Sequence, residues 1–226
     1  MRVVIAGGHG KIALRLGRLL ADRGDLPVGL IRNRAHADDL RERGIEPVLL
    51  DLEHATLDDV LPALDEADAS VFAAGAGPGS GIARKDSVDR GAAVLLADAA
   101  VRAGVRRHVQ ISSMGVESVR DGGTPDGVDE VFLAYLRAKL AAEDHLRELD
   151  LDWTILRPGV LTDDPGTGLV RLAPHVDRAE VPRDDVAATI AELLAVPETA
   201  RLILELTTGD TPVAAAVRTA AQRTSA

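Results

Sequence analysis

The chain of 226 residues contains no cysteine. That excludes disulfides, thiolate metal sites and cysteine nucleophiles, and it suits a reducing cytoplasm. Aromatic residues are nearly missing as well: one Trp, one Tyr and two Phe make up 2% of the sequence. So few rings build no stacking platform for single-stranded nucleic acid and offer little to clamp a flavin. An excess of positive charge is also lacking. The formal net charge is −10, whereas a nucleic-acid partner requires a basic face. No apolar run approaches the roughly 20 residues of a membrane span. The opening MRVVIAGGHG turns glycine-rich too early for a signal peptide. The six histidines show no HxxxH or HExxH spacing, so no metal site is expected. Lysine is scarce: only Lys11, Lys85 and Lys139 occur among 26 basic residues, a balance we ascribe to codon bias.

What is present is enough apolar character for a full core, 46% of residues. The length fits one large α/β domain or a domain with a small annex. Short apolar runs alternate with helical patterns. Strands are predicted at residues 3–6, 28–31, 48–50, 69–74, 108–112, 153–156 and 202–207, and helices at 12–22, 36–43, 87–104, 130–149 and 184–195. This alternation predicts a doubly wound parallel sheet with helices on both faces. Its ligands should bind at the carboxyl ends of the strands. Residues 119–128 form a Gly-rich loop. Residues 1–218 are expected to make a single domain with a small substrate cap at 159–181, and 219–226 a frayed tail.

Polar and glycine residues gather at the predicted strand ends. Gly7, Gly8 and Gly10, with Ala13, follow the first strand and open the first helix, the setting of a dinucleotide fingerprint. Here Gly7, Gly8, His9, Gly10, Lys11 and Ile12 are expected to hold a pyrophosphate, because helix N-terminal amides and the dipole favour negative charge. The second strand ends in Ile31-Arg32-Asn33-Arg34, where NAD-preferring folds carry an acidic residue. Arg32, helped by Arg34, suggests the 2′-phosphate of NADP, with NAD disfavoured. Asp51 and Leu52 close the third strand, either against adenine or with Asp51 as a helix N-cap. Ala73, Ala74 and Gly75 are small enough for a cofactor to lie on their backbone. Ser112 and Ser113 place hydroxyls after the fifth strand. Tyr135 and Lys139 stand four apart on one helix face. An ammonium near a phenol favours the phenolate, so the pair fits proton transfer to a substrate oxygen.

These residues, with Val88-Asp89-x-Gly91, Ile111-Ser112-Ser113-Met114-Gly115, Trp153 through Gly159 and Arg183-Asp184-Asp185-Val186-Ala187, resemble an atypical short-chain dehydrogenase/reductase. The likeness is to the NAD(P)H-binding, NmrA-like and NAD-dependent epimerase/dehydratase branch, from Arg2 to about Val217. It implies a Rossmann-type fold, with Tyr135 as general acid/base and Lys139 on the nicotinamide ribose. It implies Ser113 orienting the substrate, with Ser112 in reserve, and Pro158, Gly159 and Val160 beside the nicotinamide. Asp89 stands where most of the superfamily has Asn, and Ala13 replaces the third Gly. Two functions remain open at this point. One is an NADP(H)-dependent oxidoreductase or epimerase acting on a small carbonyl or alcohol. The other is a non-catalytic NADP(H)-binding sensor. Substrate, direction and oligomeric state are encoded in no motif.

Overall fold

Alternate residues of the first strand, β1 (Arg2–Ala6), face two different cores. Val3 and Ile5 join one apolar cluster, and Val4 and Ala6 the other. A strand side-chain period of two, with both faces buried, needs a helical layer on each side. The computed structural model, which describes residues 1–77 and 79–222, has that form.

One layer holds α1 (Lys11–Asp22), α7 (Arg183–Ala195) and α8 (Val213–Gln222). The other holds α3 (Leu57–Val60), α5 (Ala93–Ala103) and α6 (Glu130–Glu148). Buried beneath the second layer lies Trp153, whose indole N–H has no partner among the described residues. A short α2 (Ala37–Arg41) covers the end of β2 (Leu26–Ile31).

The sheet continues through β3 (Glu46–Leu49), β4 (Ala69–Phe72), β5 (Arg107–Ile111) and β6 (Asp152–Pro158). It ends with β8 (Leu169–Ala173), β10 (Leu202–Thr208) and β11 (Thr211–Pro212). The strand order is β11-β8-β10-β6-β5-β4-β1-β2-β3. From β3 to β10 every pairing is parallel, and β8 runs antiparallel to β10. The order reverses between β1 and β4, and a doubly wound sheet opens its ligand crevice at such a point.

Several boundaries differ from the expectation. The predicted fourth strand stops at Phe72, so Ala73, Ala74 and Gly75 leave the sheet as irregular backbone. The predicted helix 87–104 is a π-helix, Lys85–Ala92, running into α5, and a short α4 (Ile82–Arg84) leads into it. The region 159–181 is not wholly a cap. Only β7 (Val160–Thr162) and β9 (Glu180–Pro182) form a separate two-stranded sheet, while β8 joins the main sheet. The predicted tail from Thr219 is helical through Gln222, with Ala220 and Ala221 buried. The rest of that tail, 223–226, lies outside the described residues. No described helix is long and apolar enough to cross a membrane.

Candidate functional site

The turn after β1 is shaped by close backbone approaches. Gly7 has φ +74°, and a Cβ there would lie 2.7 Å from the Ala74 Cα, a position open only to glycine. A Cβ on Gly8 would lie 2.6 Å from the Gly29 Cα in β2. Gly8 therefore serves packing and does not line the cleft. Gly10 is the N-cap of α1 and offers no side-chain cap, so the first-turn amides are free for an anion.

Beside this turn a cleft runs over the ends of β1 to β4. It is lined by Gly7, His9, Gly10, Ile31, Arg32, Asp51, Leu52, Ala73, Ala74 and Gly75. Sequence reasoning missed three polar members, His36, Glu53 and Arg84. Glu53 is the hub of this end. Arg84 grips it at 3.2 and 2.9 Å, the Ser87 hydroxyl donates at 2.6 Å, and Arg32 Nη1 lies 3.6 Å away. The Arg84 and Ser87 hydrogen bonds hold the Glu53 carboxyl below its ordinary value. Two guanidinium groups thus face one carboxylate, and Asp51 adds a second carboxylate to the cleft wall. The His9 and His36 rings stack at 3.7 Å, and His9 Nε2 lies 2.8 Å from Asp39 Oδ2.

Two further expected contacts fall elsewhere, and one alternative for Asp51 is settled. Arg34 opens a 3-10 turn, Arg34–His36, and does not line the cleft. The exposed Lys11 ammonium pairs with Asp163. Asp51 caps a turn through the Glu53 N–H at 3.1 Å, while Thr56 caps the following helix; the N-cap alternative for Asp51 therefore fails.

Ala73, Ala74 and Gly75 also line a second cleft of about 680 Å³, so the two spaces adjoin across small residues. The second contains Ile12, Asp89, Ser112, Ser113, Tyr135, Lys139, Pro158, Gly159 and Val160. Each belongs to the expected set, and the chain brings them together from α1, the π-helix, the end of β5, α6, the end of β6 and the start of β7. Tyr135 and Lys139 share the inner face of α6, whose N-terminus is capped by Asp129 accepting from the Phe132 N–H at 2.9 Å. The buried Arg157 fastens α6 to β6. It donates to Glu143 at 3.0 Å and, toward the 3-10 turn Val116–Gly122, to Glu117 at 2.6 Å.

The Lys139 ammonium donates to the Ile111 carbonyl at 3.2 Å and lies 3.5 Å from Asp89 Oδ1. It stands 5.9 Å from the centre of the Tyr135 ring. Asp89 also accepts the Ala76 N–H at 3.2 Å, tying the loop after β4 to the π-helix. Ser113 Oγ donates to the Met114 carbonyl at 3.1 Å. Ser112 Oγ is buried and has no partner among the described residues. An orphaned hydroxyl beside a phenol and a buried ammonium fits a carbonyl ligand next to a nicotinamide. Lys85 and Arg178 also line this cleft and were missed. Lys85 could have been found from its place four residues before Asp89.

The Arg183-Asp184-Asp185-Val186-Ala187 motif has a structural role. Buried Asp185 accepts from the Thr167 N–H at 3.0 Å and the Gly168 N–H at 2.8 Å, anchoring the approach to β8.

A family model described as NAD(P)H-binding matches residues 7–197. An uncharacterized sugar epimerase of Bacillus subtilis, YhfK, is 32% identical over 96% of this chain and 99% of its own. A solved structure described as a putative NAD-dependent epimerase/dehydratase from Bacillus halodurans is 36% identical. It covers 97% of this chain and 99% of its own, with a TM-score of 0.88. The anaerobilin reductase ChuY of Escherichia coli O157:H7 is 25% identical over 93% of this chain and 98% of its own, with a TM-score of 0.78. With a glycine turn, an uncapped helix and a small-residue bridge between two clefts already in place, the match over most of the sequence assigns the chain to the NAD(P)H-binding family, among oxidoreductase- and epimerase-like proteins.

Proposed function

We propose that the protein is an NADP(H)-dependent oxidoreductase or epimerase that works on a small carbonyl or alcohol. The observation that carries this reading is the convergence of Ser112, Ser113, Tyr135 and Lys139 on one cleft, continuous through Ala73–Gly75 with the cleft at the glycine turn. A bound nicotinamide supplies or accepts the hydride. The α1 amides, Gly7 and Gly10 hold its pyrophosphate, Leu52 and Asp51 face the adenine, and Arg32 faces the 2′-phosphate. Pro158, Gly159 and Val160 wall the nicotinamide end.

The protein's own chemistry is proton handling. In reduction, the Tyr135 phenol donates its proton to the substrate oxygen as that oxygen gains charge. In oxidation it takes the proton back. Ser112 and Ser113 orient that oxygen, and the unengaged hydroxyl of Ser112 supports its taking part. Lys139 contributes a fixed positive charge beside the phenol and a donor toward the cofactor ribose. Arg32, which stands on the cleft wall where NAD-preferring folds carry an acidic residue, supports NADP over NAD.

Tyr135→Phe tests the reading, since it keeps the ring and removes one hydroxyl. Turnover should fall by about 10²–10⁴, the usual worth of general acid–base catalysis, while NADPH affinity stays close to that of the parent. Full turnover in Tyr135→Phe would end the catalytic assignment. Tight NADPH binding without turnover across a broad carbonyl and nucleotide-sugar screen would point to a sensor.

A further inference from the structure

Five charged side chains line the cleft that holds Tyr135: Lys85, Asp89, Asp129, Lys139 and Arg178. Two of them neutralise each other, because Lys139 and Asp89 are paired at 3.5 Å. Asp129 is engaged as the N-cap of α6. That leaves Lys85 and Arg178, and among the described residues neither pairs with a carboxylate.

Lys85 is the unusual one. It is only 9% exposed, and lysine is seldom buried without a partner for its charge. Its hydrogen bond is to a neutral acceptor, the Gly77 carbonyl at 3.1 Å. Its ammonium stands 5.5 Å from the centre of the Tyr135 ring, nearer than that of Lys139. Lys85 and Asp89, four residues apart on the π-helix, line the same cleft, and π-helical turns often occur at functional sites. Arg178, on the loop before β9, is exposed and carries a second free cation to the opening. In a protein of net charge −10, this is a local reversal of sign.

We propose that the substrate is an anion, a carbonyl or hydroxy compound bearing a carboxylate or phosphate close to the reacting carbon. Lys85 binds that group beside Tyr135, and Arg178 draws it in at the rim. The anion replaces the Gly77 carbonyl as the partner of Lys85. This rests on the proposed function above for the place of the reacting carbon, but the charge recognition can be measured without turnover.

The experiment is calorimetric titration of the full chain, with and without NADPH. One pair of probes is benzoylformate and its methyl ester. The other is dihydroxyacetone phosphate and dihydroxyacetone. In at least one pair the anion should bind about 10-fold or more tightly than its neutral partner, as a charge-assisted bond implies. The pair that discriminates tells carboxylate from phosphate. Lys85→Met, which keeps the apolar stem, should remove most of the difference. Lys85→Arg should keep it, and Arg178→Gln should reduce it. Thermal melts by circular dichroism confirm that each variant is folded. Equal affinities within both pairs, including no binding of any probe, overturn the proposal, as does undiminished discrimination in Lys85→Met. If NADPH fails to bind but discrimination through Lys85 persists, the nicotinamide reading falls and the anion site stands. If NADPH binds and discrimination is absent, the reverse holds.

Discussion

Arg32 and Lys139 are both cations at the site, and their surroundings differ sharply. The Lys139 ammonium is buried, held by the Ile111 carbonyl and close to Asp89. Its position is fixed before any ligand arrives. Arg32 is about half exposed and shares Glu53 with Arg84 from 3.6 Å. It is free to move to a phosphate, because Arg84 and Ser87 satisfy the carboxylate without it. Arg32→Ala should therefore weaken NADPH binding by roughly 10- to 100-fold, the range of a charge-assisted hydrogen bond. NADH binding should hardly change. Fluorescence titration with both cofactors checks this, and equal losses would remove Arg32 from the 2′-phosphate site.

At the scale of elements, β5 carries both the approach to the site and a titratable core group. His108 lies fully buried in the strand, with Nδ1 2.8 Å from Ser70 Oγ on β4. Burial, and then the neighbouring Arg107, push its imidazole down to about 3. The unfolded chain takes up this proton near pH 6.5, whereas the folded chain does not until far lower. The stability tied to neutral His108 is thus complete above pH 6.5 and is lost as pH falls toward 3. Between pH 6.5 and 5, above the range where carboxylates titrate, urea unfolding of the parent should lose up to about 1.4 kcal/mol per pH unit from this group. His108→Asn should flatten that slope, whatever its effect on absolute stability. An unchanged slope would place the pH dependence elsewhere.

The elements also mark how far the chain could be read from its sequence. β1, β2, β4 and β6 were legible because each contains a local apolar run that is buried on both faces, whereas β3 is only partly buried and begins two residues before its predicted start. Tyr135 and Lys139 were legible because a single helix sets their spacing. β8 was not legible, since its place depends on pairing with β10, some thirty residues away in sequence, and on Asp185 holding the loop before it. Glu53, Arg84 and Lys85 were missed for a similar reason. Glu53 and Arg84 meet the first cleft through a clamp between distant segments, and Lys85 reaches the second from the π-helix.

Taken whole, the molecule sets its cleft where the sheet order reverses between β1 and β4, so ligand and fold are coupled at the centre of the structure. NADPH at 100 times its Kd should stabilise the fold by about 2.7 kcal/mol by mass action, read as a rise in Tm. Gly10→Val should abolish that rise. A Cβ on Gly10 already meets the Gly7 carbonyl at 3.0 Å, and the added methyls would occupy the space in front of the α1 amides. A folded Gly10→Val protein with the full NADPH-dependent rise would reduce the glycine turn to a structural corner.

The lone Trp153, 6% exposed beneath α5 and α6, also gives the molecule an optical address. Indole emission has a single origin here, so its spectrum is not an average over sites. A red shift reports water reaching the α5–α6 layer. Opening confined to the α1–α7–α8 layer leaves the emission dark to the event. Comparing that emission with far-ultraviolet dichroism during unfolding would time the two layers separately, with no label introduced.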